Sequence, residues 1–459
     1  MSVLKCISPV DGSVFAERPV AAVSEVETAL AKARAAQRDW ARRPLADRVA
    51  LVRKGVAALG AMGDETVTEI AHMMGRPVRY GGEFGGVDER ASHMADIAET
   101  ALADTVIEDS PAFRRRISRV PHGVVFVIAP WNYPYLTAIN TVAPALIAGN
   151  AVVLKHATQT LLAGERMVAA FRMAGLPENL FQNVFLDHET TGKLLAARAF
   201  DMVNFTGSVG AGRTIERAAA GTFTSLGLEL GGKDPGYVMA GADIGAAADT
   251  LIDGAMFNSG QCCCGIERIY VAEQAFDEFL ERAIGIVSGY DLGNPLDPDT
   301  TIGPMAHTRF AALVRQQTAD AVAAGAVAHI ATSPADDGAA YLTPQLLTNV
   351  GHAMDVMREE SFGPVVGIMK VKDDAEAVRL MNDSDYGLTA SLWTNDIDRA
   401  EAIGAQIETG TVFMNRADYL DPALCWTGCK DTGRGGALSV LGYHNLTRPK
   451  SFHFKRLDS

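Results

Sequence analysis

A chain of 459 residues, 48% of them hydrophobic, can bury one or more large cores and is far beyond a disulfide-stapled miniature. Its formal charge of −14 argues against sequence-independent attraction to nucleic acid or to an anionic membrane. Six cysteines without a C-x-x-C pair, an N-terminus "MSVLKCISPVDGSVFAERP" lacking the basic-then-apolar pattern of a signal peptide, and no apolar run near the roughly 20 residues of a spanning helix point to a cytoplasmic enzyme with free thiols.

In chain order, "AVSEVETALAKARAAQRDWA" from about residue 22 has apolar positions at helical spacing, and more helix follows to about residue 103. The β-branched runs "VVFVIAP" (124–130) and "AVVLK" (151–155) read as short strands. They are separated by the helical "LTAINTVAPALIAGN" and followed by the helical "TLLAGERMVAAFRMAGL". A strand "MVNFTG" (202–207) leads into a helix over 212–220. Beyond Lys233 the alternation repeats, with strands expected near 234–239, 266–272, 326–331 and 365–371 and helices near 274–289 and 308–324. Alternating strand and helix predicts parallel sheets with crossover helices, hence an α/β fold with two α/β units. Two stretches stand outside this pattern, "FRRRISRVPHG" (113–123) and "LTRPKSFHFKRL" (446–457). Both alternate polar and apolar residues, as antiparallel strands do that pair with each other and with a partner subunit. The basic run Arg114 to Arg116 reads as a solvated strand edge.

Chemistry-bearing residues fall at the ends of these elements. The turn "APWNYP" (129–134) closes a strand, where α/β sheets bind ligands, and Asn132 there offers an amide donor for a developing oxyanion. "FTGSVGAG" sets Gly207, Gly210 and Gly212 between strand and helix, suited to a phosphate at a helix N-terminus, although the spacing is not G-x-G-x-x-G. "LELGGKDP" places Glu229 in an apolar setting, where a carboxylate becomes a stronger base. "EESFGP" offers Glu360 for a sugar hydroxyl. "FNSGQCCCGIERIYV" crowds Cys262, Cys263 and Cys264 into one tripeptide. Consecutive positions suit neither a tetrahedral metal site nor a disulfide, so no metal is expected, and buried packing and a catalytic thiol both remain open.

Six motifs in order, "PWNYP", "FTGS", "LELGGK", "GQCCC", "EESFGP" and "GCKDTGRG", spread over nearly the whole chain, resemble those of the aldehyde dehydrogenase superfamily. The resemblance implies a Rossmann-like dinucleotide-binding domain (1–102 and 122–231), a catalytic domain (232–442) and an oligomerisation segment (103–121 and 443–459). It implies oxidation of an aldehyde to the acid with NAD or NADP. Cys263 would be the nucleophile, Glu229 the water-activating base and Asn132 an oxyanion donor. Lys155 would contact the adenosine ribose and Glu360 the nicotinamide ribose, with Phe362 near that ring. Trp131, Thr206, Gly207, Ser208 and Gly231 would line the dinucleotide path, and Tyr133, Thr137, Asn140, Phe257, Leu420 and Trp426 the substrate tunnel. Cys262 and Cys264 would be packing residues, and the assembly a homodimer or homotetramer.

The chain also departs from the resemblance. Thr141 and Gly435 stand where many relatives carry a Lys and a Glu able to pass protons, so proton exit must use bulk water or backbone groups. Thr158 stands where NAD-strict relatives carry a glutamate. With Lys155 unneutralised and His156 able to donate, acceptance of both NAD and NADP is expected. The mostly apolar tunnel list favours a neutral aliphatic or aromatic aldehyde, while Arg268 and Arg416 keep a semialdehyde in view. A coenzyme-A-acylating dehydrogenase would use the same thiol without needing Glu229, and a binding or structural protein would need none of the three residues.

Overall fold

The computed structural model describes residues 2–457. Its first large sheet has six strands in the spatial order Gly433–Arg434, Ser225–Glu229, Met202–Thr206, Val124–Ala129, Ala151–His156 and Phe181–Asn183, all parallel except the first. Strands Val124–Ala129 and Ala151–His156 are buried along their whole length, as expected of a parallel sheet covered on both faces. The chain leaves Val124–Ala129 in one direction, through Ala151–His156 to Phe181–Asn183, and then returns to its other side at Met202–Thr206. Where the strand order reverses, the crossover helices part and leave a crevice at the strand C-termini. The segments "PWNYP" and "FTGS" follow the two strands that flank it.

A second sheet has seven strands ordered Val327–Ala328, Gln345–Thr348, Val365–Val371, Ile266–Ala272, Asp234–Val238, Thr389–Trp393 and Thr411–Met414, antiparallel only at its first pair. The expected strand at 326–331 shrinks to Val327–Ala328, both exposed, and the buried neighbour it pairs with is Gln345–Thr348. Thr389–Trp393, Thr411–Met414 and Ser225–Glu229 were not anticipated. They are short, and threonines, serines and glycines interrupt their apolar pattern. The helix placed at 212–220 begins three residues earlier, at Val209, because Ser208 caps it by accepting from Ala211 N at 3.4 Å.

Phe113–Pro121 and Thr447–Lys455 pair antiparallel with each other, Pro121 opposite Thr447 and Phe113 opposite Lys455. A third strand, Thr105–Asp109, pairs on the other side of Phe113–Pro121. Arg114 to Arg116 therefore lie in the central strand and not on an edge. Arg115 pairs with Glu108 and Arg116 with Asp104, while the guanidinium of Arg116 lies 4.4 Å from the Phe452 ring centroid. Among the described residues no helix is long and apolar enough to cross a membrane.

Candidate active site

The turn between Phe257 and Gln261 has three consecutive left-handed residues, Asn258 (φ 55°), Ser259 (φ 57°) and Gly260 (φ 70°). Such conformations cost about 1–3 kcal/mol each at non-glycine positions, so surrounding bonds must hold them. Asn258 accepts from Arg76 Nε at 3.1 Å and donates to Gln261 O at 3.2 Å, and Ser259 Oγ donates to Gly303 O at 2.9 Å. Gln261 anchors both ways, donating to Asn258 O at 3.0 Å and accepting from Ala306 N at 2.8 Å. Gly260 lies against Gly363, where a Cβ would come within 2.3 Å of backbone atoms. The turn thus presents the tripeptide Cys262–Cys264 to the crevice in one fixed orientation.

The three thiols converge, all Sγ atoms lying within 4.8 Å of one another. Cys262 and Cys264 are 4% and 1% exposed, and Cys263 is only partly buried. The outer pair are more than packing. Both donate to Asp418 Oδ1, at 3.2 and 2.9 Å, and their sulfurs are 3.6 Å apart. The close approach of these two neighbouring thiols brings Cys263 below the ordinary thiol range, whereas Cys262 is pushed up to about 12. Burial keeps Asp418 protonated well above the usual carboxylate range.

Asn132 reaches the same turn, its Nδ2 donating to Gln261 O at 3.2 Å. Its own carbonyl accepts from Arg76 Nη2 and from Asn258 Nδ2. Arg76 forms a buried ion pair with Glu83 at 2.8 Å, and Glu83 accepts from the Tyr135 and Leu136 N–H groups, capping the helix Pro134–Ile147. Arg76, Glu83, Asn258 and Gln261 were missed in the sequence. The one legible sign among them was the Asn-Ser-Gly turn composition before Gln261.

Glu229 ends the strand Ser225–Glu229 beside Thr206, whose Oγ1 donates to Glu229 Oε2 at 3.3 Å. Burial raises its carboxyl to about 7. A cavity of about 330 Å³ adjoins Glu229 and is bordered by Asn204, Gly227, Gly435, His122 and His444. Gly435 has φ 94°, and Asn204 Nδ2 donates to Thr141 Oγ1 at 2.9 Å, so the two positions noted in the sequence lie at or beside this cavity.

Around the crevice, Trp131 packs edge-on to Phe362, with ring centroids 5.5 Å apart, and stacks on Phe310 at 5.2 Å. Glu360 accepts from Gly232 N at 3.1 Å, and a Cβ on Gly231 would lie 2.1 Å from its carboxylate, which explains glycine there. Glu267, also missed, fixes this loop by accepting from Ser361 N and Phe362 N, both at 2.8 Å, while pairing with the fully buried Lys233 at 2.5 Å. Phe362 keeps φ 49° under that clamp.

Lys155 is buried and donates only to His156 O, at 3.4 Å, with no ion pair among the described residues. Burial lowers its ammonium to about 8. His156 is held neutral, lowered to about 3 by burial, and turned inward with Nδ1 3.4 Å from Thr160 Oγ1. A neutral imidazole keeps one N–H donor, so what His156 loses is its charge. Thr158 is partly exposed in the 3-10 turn Thr158–Thr160 and caps no helix. Ser208 and Gly210 are exposed at the start of the helix Val209–Ala219, where a Cβ on Gly210 would meet nothing within 4 Å. An under-bonded buried ammonium, an open helix N-terminus and a glycine shaped around a carboxylate suit the ribose hydroxyls and phosphates of a dinucleotide.

Of the tunnel residues, Tyr133, Leu420 and Trp426 belong to the same packed cluster as the three cysteines, whereas Phe257 packs against Tyr80 at 4.8 Å. Arg268 is consumed by the carbonyls of Lys233, Leu380 and Met381, and Arg416 is exposed, stacked 3.5 Å from the Tyr419 ring centroid. Neither is a free cation within the site.

The profile of the Aldehyde dehydrogenase family matches residues 2–452. The chain is similar to a 4,4'-diapolycopene aldehyde oxidase from Methylomonas sp., at 35% identity over 98% of this chain and 86% of that one. It is similar to a succinate-semialdehyde dehydrogenase [NADP(+)] from Deinococcus radiodurans, at 31% identity over 97% and 93%. The solved NADP-dependent glyceraldehyde-3-phosphate dehydrogenase from Bacillus halodurans, complexed with NADP, superposes with a TM-score of 0.93 at 33% identity, covering 99% of this chain and 96% of that one.

Proposed function

This chain belongs to the aldehyde dehydrogenase family, and we propose on that premise that it oxidises an aldehyde to the carboxylic acid with NAD or NADP, through a thioester on Cys263. The observation that carries the reading is the Asn132 amide, fixed on the carbonyl of Gln261 two residues ahead of the Cys263 thiol. The Cys263 thiolate attacks the carbonyl carbon, forming the C–S bond of a thiohemiacetal. Asn132 Nδ2 and the Cys263 N–H stabilise the oxyanion that exists only after attack, and loss of one such donor typically costs about 10²–10³ in turnover. Bound NAD or NADP would supply the hydride acceptor for the step in which the substrate C–H bond breaks and the thioester forms on Cys263. Glu229 then takes a proton from water, whose oxygen displaces sulfur and frees the acid. It is also read as a base for the Cys263 thiol.

In this reading Lys155 and Thr158 meet the adenosine ribose, Ser208 the phosphates and Glu360 the nicotinamide ribose, while Trp131, Thr206, Gly207, Gly231 and Phe362 line the path. Residues 1–102 and 122–231 form the dinucleotide-binding domain and 232–442 the catalytic domain. Segments 103–121 and 443–459 pair subunits into a dimer or a pair of dimers, and six free cysteines suit a cytoplasmic setting. Protons leave Glu229 through water in the adjoining cavity. The test is cofactor reduction followed spectroscopically over a panel of aliphatic, aromatic and semialdehyde substrates, with and without coenzyme A. Reduction independent of coenzyme A supports the proposal, and reduction that requires it supports an acylating enzyme instead.

A further inference from the structure

A buried cation absent from the apolar list of tunnel residues lies against the helix Pro134–Ile147, which carries Thr137 and Asn140. Arg90 is 8% exposed on the helix Phe84–Ala101. Its Nη1 makes two long bonds, 3.3 Å to Leu136 O and 3.4 Å to Asn140 Oδ1, and its Nε and Nη2 donate to no group among the described residues. The register follows from a glycine. Gly86, where a Cβ would come 2.8 Å from Leu136 Cδ1, lets the two helices approach, and one turn further along each helix Arg90 meets Asn140. The acidic side chains nearest it are committed elsewhere, Glu83 to Arg76 and the helix N-terminus, Glu89 to the Tyr419 hydroxyl at 2.6 Å. Burial weakens the guanidinium's hold on its proton, and the charges it senses first are those of Cys264 and Cys263. Glu229 in turn senses Arg90. A guanidinium withdrawn from water without a carboxylate partner is costly, and its remaining fork of donors matches a carboxylate in two-pronged geometry.

We propose that Arg90 is the specificity-determining residue of the tunnel and that the aldehyde carries a carboxylate at its far end, a short-chain oxo acid. This rests on the reading of Cys263 as nucleophile and of Tyr133, Thr137 and Asn140 as tunnel wall, and it replaces the expectation of a neutral substrate, which was drawn without Arg90. The carboxylate takes the free Nε and Nη2 donors, and Asn140 steadies the guanidinium from the facing helix.

The experiment compares kcat/KM for succinic semialdehyde and for butanal, which has the same carbon count without the charge. The wild-type ratio should exceed tenfold in favour of the semialdehyde. Arg90→Met should lower that ratio at least tenfold, chiefly through the semialdehyde KM, and Arg90→Lys should fall between. A wild-type ratio below tenfold overturns the proposal whether or not the variants fold. So does an Arg90→Met enzyme in which both substrates lose activity together, since that assigns Arg90 to the thiol or to Glu229. If neither aldehyde, nor any other in the panel, reduces cofactor, the failure lies with the oxidation itself and not with Arg90.

Discussion

Cys262 and Cys264 carry the same functional group as Cys263, yet both are buried with their thiol hydrogens on Asp418, whereas Cys263 is only partly buried and alone of the three is shifted below the ordinary thiol range. Replacing Cys263 by Ala should abolish aldehyde oxidation, whereas Ala at 262 or 264 should keep most of it. Initial rates of cofactor reduction decide the matter. The sign of the Glu229 shift makes a second prediction. Burial favours the neutral carboxyl, so the base form dominates only above a pKa of about 7, and turnover limited by thioester hydrolysis should rise with pH through that value. A rising limb centred near an ordinary carboxyl pKa would mean that the group is solvated in the working enzyme. Thr158 supplies a third. It neither hydrogen-bonds a 2′-hydroxyl strongly nor repels a 2′-phosphate, and Lys155 nearby has no carboxylate partner among the described residues, so both cofactors should serve. Thr158→Glu should move the NAD-to-NADP ratio of kcat/KM at least tenfold towards NAD. A wild-type preference for NAD above about a thousandfold, roughly 4 kcal/mol, would contradict this.

The left-handed turn before the cysteines is where local strain is exchanged for a fixed position of the Cys263 thiol. Gly260→Ala would force a Cβ into the Gly363 carbonyl at a backbone angle that alanine resists, so the turn and the "ESFGP" loop must part. Turnover should fall at least tenfold with far-ultraviolet circular dichroism unchanged. Normal turnover would show that the turn does not position Cys263. Apart from the Asn-Ser-Gly composition of the turn itself, none of these supports stood out in the sequence, for a physical reason. Arg76, Glu83, Glu267 and Asp418 act by pairing across long sequence separations, and a charged residue that will be buried looks the same in a sequence as one that will be solvated. Strands with uninterrupted β-branched runs, Val124–Ala129 and Ala151–His156, were legible because burial on both faces demands that composition. Thr389–Trp393 is equally buried but carries Thr and Ser, whose hydroxyls are satisfied by Asp234 and by the Arg416 carbonyl, contacts that exist only once the sheet has formed.

At the scale of the molecule, the three-stranded sheet stands apart from both large sheets, and its outer strand Thr105–Asp109 exposes Val106 and Ile107 at 65% and 54%. Apolar side chains on an unpaired edge invite a partner strand. Deleting residues from Thr447 onward should weaken assembly in sedimentation at micromolar concentration, and a wild-type protein that sediments as a monomer would remove the segment's proposed role. The proposed oxidation depends above all on a covalent bond to one sulfur. The most direct measurement takes Glu229→Gln, which should transfer hydride and then stall before hydrolysis, mixes it with aldehyde and NAD or NADP, and weighs the protein and its peptides by mass spectrometry. The account predicts about one equivalent of reduced cofactor in a burst, together with an adduct two hydrogens lighter than the aldehyde on the peptide carrying Cys263. An adduct on Cys262 or Cys264, or steady turnover at the wild-type rate with no adduct, would contradict it.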